Sequence, residues 1–175
     1  MKLQRLLLVL LLTVGSVMAD STVDAEYRLK AAYLYNFAKF VEWPTNTLAT
    51  ETSPIVIAVF GDNPFGASLD QAVNGRTANG HPVTVRYAHR PAELEGAHLV
   101  FLSRNVRTEI LNQLAGKSVL TVGESDGFLP AGGMIQFVIA ENRVRFAIAE
   151  PAAQQAGLKI SSQLLALAVP EKGAS

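Results

Sequence analysis

Ile55-Val56-Ile57-Ala58-Val59-Phe60 is an unbroken apolar run rich in β-branched residues. A strand wetted on one face alternates apolar and polar residues. A strand buried on both faces reads as a continuous run, and such strands lie inside parallel sheets. Two shorter runs of the same kind follow, Leu99–Leu102 and Val119–Val122. Between the runs the chain carries helix signals. Asn63 can cap a helix with Pro64 at its first position, which predicts a short helix to about Val73. Ser103 is expected to cap another, with the stripe Val106, Ile110, Leu111 and Leu114 and a stop at Gly116. Buried strands alternating with helices predict an α/β sandwich, a mainly parallel sheet flanked by helices joined through right-handed crossovers.

Outward from this centre the pattern changes. Val83–Tyr87 alternates, with Val83, Val85 and Tyr87 on one face, and is expected to lie near a sheet edge. Met134–Ile139 and Arg143–Ile148 flank Ala140-Glu141-Asn142 and predict a C-terminal antiparallel hairpin with one wet face. Pro151 starts a helical turn that Gly157 breaks, and Ile160–Val169 reads as a last helix. Upstream, Arg28–Pro44 (RLKAAYLYNFAKFVEWP) and the preceding Tyr27 hold six of the thirteen aromatic residues. Leu29, Tyr33, Phe37, Phe40 and Val41 recur at helical spacing and predict a core-facing stripe. The i, i+4 pairs Glu26–Lys30 and Asp24–Arg28 are expected on the opposite side. Pro44 disfavours helical geometry at Trp43 and so ends the pattern.

The first nineteen residues read as an export signal. Lys2 and Arg5 precede an apolar stretch too short to span a bilayer, and Val17-x-Ala19 places small residues at the cleavage positions. Cleavage between Ala19 and Asp20 would leave 156 of the 175 residues as a single domain, residues 20–175, in the periplasm. Without Lys2 and Arg5, 13 basic residues face 15 acidic ones, so no basic stripe favours nucleic acid. There is no cysteine, which removes thiol nucleophiles, thiolate metal sites and disulfide switches.

Motifs of catalysis are missing. The chain has no Gly-x-Ser-x-Gly elbow, no His-Glu-x-x-His and no phosphate-binding loop. His81, His89 and His98 lack metal-ligand spacing and read as surface or strand-end residues. Glu124, Asp126 and Glu141 read as unpaired, solvated carboxylates. No catalytic residue, metal site or cofactor is expected.

Two binding candidates remain. Gly61, Asp62, Asn63, Phe65 and Gly66 follow the first buried strand, where α/β sheets take ligands, although a tight turn with a helix cap explains them better. Gly132-Gly133 is read as a turn rather than a close approach to a ligand. Arg143, Arg145, Glu150, Leu158 and Ile160 could form a charged surface with an apolar centre for a protein partner. The competing reading is that Leu158 and Ile160 complete the core.

Lys30-Ala-Ala-Tyr-Leu-Tyr-Asn-Phe-Ala-Lys-Phe-Val-Glu-Trp-Pro44 resembles the opening signature of YfiR-like periplasmic proteins. Gly61-Asp-Asn-Pro-Phe-Gly66, Ser118-Val-Leu-Thr-Val-Gly123, Gly132-Gly-Met-Ile135, Asn142-Arg-Val-Arg-Phe146 and Gly157-Leu-Lys-Ile-Ser-Ser-Gln-Leu-Leu165 follow in the family's order. The resemblance implies a regulator rather than an enzyme. It would dock on the periplasmic sensor domain of an inner-membrane signalling protein and repress a diguanylate cyclase. A homodimer and a small-ligand carrier or sensor stay open beside that reading. Relatives often carry cysteines tied to redox control, one of them near the position of His98; this chain has none.

Overall fold

The computed structural model describes residues 14–171. The signal-peptide reading rests largely on residues 1–13, which lie outside the described residues. Helix α1 runs Val14–Phe40, and β1 (Val41–Glu42) follows it directly. Then come β2 (Ile55–Phe60), α2 (Ser68–Val73), β3 (Thr77–Ala78), β4 (His81–Ala88) and β5 (Leu99–Leu102). Helix α3 (Ile110–Leu114), β6 (Leu120–Gly123), β7 (Ile135–Ala140) and β8 (Arg143–Ile148) continue the chain. It closes with α4 (Glu150–Gln155), β9 (Lys159–Ile160) and α5 (Ser162–Leu165).

Seven strands form one sheet in the order β3-β4-β2-β5-β6-β7-β8. The five inner strands, β4 to β7, run parallel, and β3 and β8 pair antiparallel at the edges. The chain is thus α/β with a mainly parallel sheet and a late hairpin, as the apolar runs predict. All six residues of β2 are buried, as are all four of β5 and of β6. The reason is that both faces of the sheet are covered. Ile57, Val59, Phe101, Val122, Phe137 and Phe146 face α1 and Phe37. Ala58, Phe60, Val100 and Leu102 face α3 and the 124–132 turn, with Phe128 at its centre.

The first helix is core, but its buried stripe is rotated from the predicted one. Ala31, Leu34, Phe37, Ala38 and Val41 are fully buried, whereas Leu29 is 44% exposed. Tyr33 and Phe40 are half-buried. Phe37 stacks against Phe137 and meets Phe146 edge-on, with centroids 5.7 and 5.1 Å away. The helix stops at Phe40, before Trp43, because Val41 and Glu42 pair antiparallel with Ile160 and Lys159 in a separate two-stranded sheet.

That pairing corrects the end of the chain too. Ile160 is a strand residue, and the last helix is only Ser162–Leu165, capped by Ser161 Oγ accepting the Leu164 N–H at 3.2 Å. The helix expected from Pro64 begins at Ser68, and the one expected from Ser103 begins at Ile110. Asn63 makes a turn rather than a cap: its Oδ1 accepts the Phe65 N–H at 2.9 Å and its Nδ2 donates to the Gly66 carbonyl at 3.1 Å. Ser103 Oγ donates to the Asp62 carbonyl instead of capping. The β3–β4 hairpin turns on Asn79-Gly80, both at positive φ, a sequence favoured in tight hairpin turns.

Candidate functional site

The charged centre of the molecule is Lys30. It lies in the buried half of α1, 1% exposed, and its Nζ donates to the carboxylates of both Glu26 and Glu124. Glu26 is one helical turn before it. Glu124 is the residue after β6, at the carboxyl end of the parallel strands, the place where sheets of this kind put their sites. Tyr27 Oη donates to the other Glu124 oxygen at 2.8 Å, and Arg104 Nη2 stands 3.6 Å from Glu124 Oε2. Lys30 Nζ also lies 4.5 Å from the centroid of the Tyr27 ring, close enough for cation–π attraction. Burial, then the bond to the Glu124 carboxylate, push the Tyr27 phenol above its ordinary pKa. An isolated charge would not survive such burial; each one here is paired and hydrogen-bonded.

The Glu26–Lys30 pair was expected on the solvated side, and Glu124 was expected to face solvent unpaired. Both expectations are corrected. The available signals were the i, i+4 spacing and the place of Glu124 just past a buried strand. Neither reveals that the residues meet across 94 positions of chain.

A groove of about 670 Å³ opens beside this cluster. Glu26, Lys30, Arg104 and Glu124 form one wall. Leu129, Val138, Ala140, Ala147 and Val169 supply apolar surface, and Asp126 and Glu171 add two further carboxylates. Gly133 and Gly123 lie under the adjoining turn. A Cβ at Gly133 would stand 2.2 Å from the Phe128 ring, and one at Gly123 2.5 Å from it. These glycines make room for an aromatic side chain of the protein itself.

The Gly61–Gly66 loop is built as a tight turn. Gly61 has φ +95°, and a Cβ there would stand 2.5 Å from Val106 Cγ2. Phe65 is buried, edge-on to Phe101 and Tyr27 at 4.9 and 5.6 Å. Asp62, Asn63 and Gly66 are exposed. Neither the groove nor a second hollow of about 340 Å³ near Trp43 and His81 is lined by this loop.

The C-terminal set divides. Leu158 and Ile160 are 2% and 7% exposed and belong to the core around Phe37, so they offer no apolar surface to a partner. Arg143 is exposed and Arg145 half-buried, on the same face of β8. Glu150 is half-buried and accepts from Gln154 Nε2 at 3.1 Å. Val138 pairs with Arg145 and Ala140 with Arg143. The arginines therefore stand on the face of the sheet that floors the groove.

Of the two readings of His98, surface or strand-end, the structure shows the second: it stands directly before β5 and is only 7% exposed. Its Nδ1 accepts the Val56 N–H at 3.1 Å, and its carbonyl accepts Trp43 Nε1–H at 3.1 Å. Burial pushes its pKa down, against a hydrogen bond to the Thr47 backbone that pulls it up.

Among the described residues no group of three or more His, Cys, Asp or Glu residues could hold a metal ion. No helix among them is long and apolar enough to cross a membrane. The family model described as YfiR/HmsC-like matches residues 27–169, from the tyrosine on Glu124 to the valine that closes the groove.

Proposed function

The chain belongs to the YfiR/HmsC-like family, and from that premise we propose that it is a periplasmic protein that docks on the sensor domain of an inner-membrane signalling protein and represses a diguanylate cyclase. The family consists, in general, of periplasmic regulators of diguanylate cyclase signalling. The observation that carries the reading is the extent of the match, 143 residues taking in the sheet and all of the charged cluster except Glu26. The protein then acts by binding rather than by chemistry of its own. A binding protein shifts its partner's equilibrium only as far as it prefers one of the partner's states. Arg143, Arg145 and Glu150 are the candidate contacts that remain at the surface.

The test is made in the native host. Deletion of the gene should raise cyclic di-GMP, and re-expression should restore it. The mature protein should begin at or near Asp20 by mass spectrometry and co-purify with a membrane protein carrying a cyclase domain. Unchanged cyclic di-GMP together with no membrane partner would overturn the reading. A small-ligand carrier is the second reading, supported by the groove beside Lys30.

A further inference from the structure

The groove has a property that its lining residues alone do not convey. Strand β6 pairs with β7 at only two positions, Val122 with Ile135 and Gly123 with Gln136. The chain then leaves the sheet at Glu124, whereas β7 continues for four more residues to Ala140, paired with β8 throughout. On its β6 side, the stretch Phe137–Ala140 has no strand partner among the described residues.

The hairpin register shows which backbone groups are left. Glu141 and Asn142 both have positive φ, 51° and 61°, the geometry of a two-residue turn of type I′. Such a turn is closed by a pair that exchanges both hydrogen bonds, here Ala140 with Arg143, and the bonded pairs then alternate. Val138 with Arg145 is the next bonded pair; Ile139 with Val144, between them, is not bonded. The Ile139 N–H and carbonyl therefore point away from β8, toward the place that β6 has vacated. Ile139 is 57% exposed and makes no other hydrogen bond among the described residues. An edge of this kind is a template for another strand.

We propose that Phe137–Ala140 receives an extended segment of a partner protein, bearing alternating apolar and basic residues, which adds to the sheet in the place that β6 leaves at Gly123. The inference rests on the docking reading above and names the surface and chemistry of the contact. Four residues of edge, at about 3.3 Å each, suit a strand of four or five residues. The face beside the edge is apolar, through Val138, Ala140 and Leu129. The groove carries four carboxylates, Glu26, Glu124, Asp126 and Glu171, against two cations, Lys30 and Arg104. Asp126 and Glu171 make no ion pair among the described residues, so the excess charge facing an incoming segment is negative. Arg143 and Arg145 lie on β8, two strand spacings or about 10 Å from the vacant place, beyond the screening length of roughly 8 Å at physiological salt.

Two six-residue peptides with blocked ends test this, one alternating lysine with valine, the other glutamate with valine. The lysine peptide should bind the full mature chain at least about tenfold more tightly than the glutamate peptide. Binding should slow hydrogen exchange at the Ile139 amide by about tenfold or more. Ile139→Pro removes the outward N–H without touching a bond to β8 and should weaken binding by about tenfold, whereas Ile139→Thr keeps that N–H and most of the affinity. Equal binding of the two peptides, an unprotected Ile139 amide, or Ile139→Pro binding as well as Ile139→Thr would overturn the proposal. If Ile139→Pro does not fold, the exchange measurement on the unaltered chain decides. Binding seen only after removal of residues 172–175 would assign the edge to the chain's own tail, and also overturns it. A protein that co-purifies with its membrane partner yet binds neither peptide sinks the edge and leaves the docking reading standing. Peptide binding without any membrane partner does the reverse.

Discussion

Lys30 and Glu124 are 94 residues apart in sequence, and each has a side chain 2% exposed in a direct ion pair. The contact joins the first helix to the end of a central strand. A buried pair gains little over a well-packed apolar substitute, but breaking it strands a charge. Lys30→Met leaves the Glu124 carboxylate with only Tyr27 and the distant Arg104 guanidinium. We expect a loss of about 3–5 kcal/mol by urea unfolding. Lys30→Met with Glu124→Gln should be milder than the sum of the single changes by about 1 kcal/mol or more. Additive effects would mean that the two residues do not act as a pair.

Phe37 is fully buried and touches the rings of Phe137 and Phe146. Phe37→Ala should cost about 3–5 kcal/mol, the usual range for emptying an aromatic core site. Leu29, predicted on the same stripe, is 44% exposed, and Leu29→Ala should stay within about 0.5 kcal/mol. Comparable losses from the two substitutions would place the stripe where the sequence pattern puts it.

The contrast between Phe37 and Leu29 shows what the sequence carries. The runs Ile55–Phe60, Leu99–Leu102 and Val119–Val122 are legible because burial on both faces leaves no charged residue in them, and Thr121 as the one polar residue, its Oγ1 accepting the Met134 N–H. The hairpin is legible by its alternation and turn. The rotation of α1 is not, because apolar spacing favours Leu29 over the neighbouring Lys30 in the middle of the helix, whereas the structure buries Lys30 and exposes Leu29. Lys30 is buried only because Glu124 arrives from the sheet to meet it. The β1–β9 pairing is hidden for the same reason: two residues at each end, 41–42 and 159–160, carry no pattern of their own. The β3–β4 hairpin is not read from the sequence, because its strand β3 is only two residues long, although Asn79-Gly80 is a turn sequence.

His98 makes stability depend on pH. Its Nδ1 is an acceptor for the Val56 N–H, so protonation there sets donor against donor. Its folded pKa is depressed by burial. The stabilising contribution is therefore complete above the unfolded value of about 6.5. It is lost as pH falls from there through the folded pKa, with a slope of at most about 1.4 kcal/mol per pH unit. His98→Asn can keep an acceptor near Val56 without titrating. Between pH 7 and pH 5 the unaltered protein should lose more stability than this variant in chemical unfolding. Parallel pH profiles would show that His98 does not titrate with folding.

Gly123 has space for hydrogen only, since a Cβ would stand 2.5 Å from the Phe128 ring. Gly123→Ala should destabilise by about 1–3 kcal/mol through overpacking. Phe128→Leu in the same chain should return part of that loss, although alone it is itself destabilising. A larger loss in the double variant than in the sum of the singles would mean that the ring does not set the constraint.

The arginine face gives the most direct test of docking. Arg143 and Arg145 project from the sheet face that carries Val138 and Ala140, beside the open edge of β7. They lie about two strand spacings from the vacant place beside β7, so they test a separate part of the docking face, one that an acidic group elsewhere on the partner would meet. Arg143→Glu with Arg145→Glu should abolish co-purification with the membrane partner and raise cyclic di-GMP, while the melting temperature stays near that of the unaltered protein. Ile160→Asp makes the necessary contrast. Ile160 is 7% exposed and pairs with Val41, so a carboxylate there should unfold the chain rather than spare it. The charge-reversed pair tests the surface, and Ile160→Asp shows what loss of folding looks like in the same assay. Retained binding by a folded Arg143→Glu, Arg145→Glu protein would move the interface off this face.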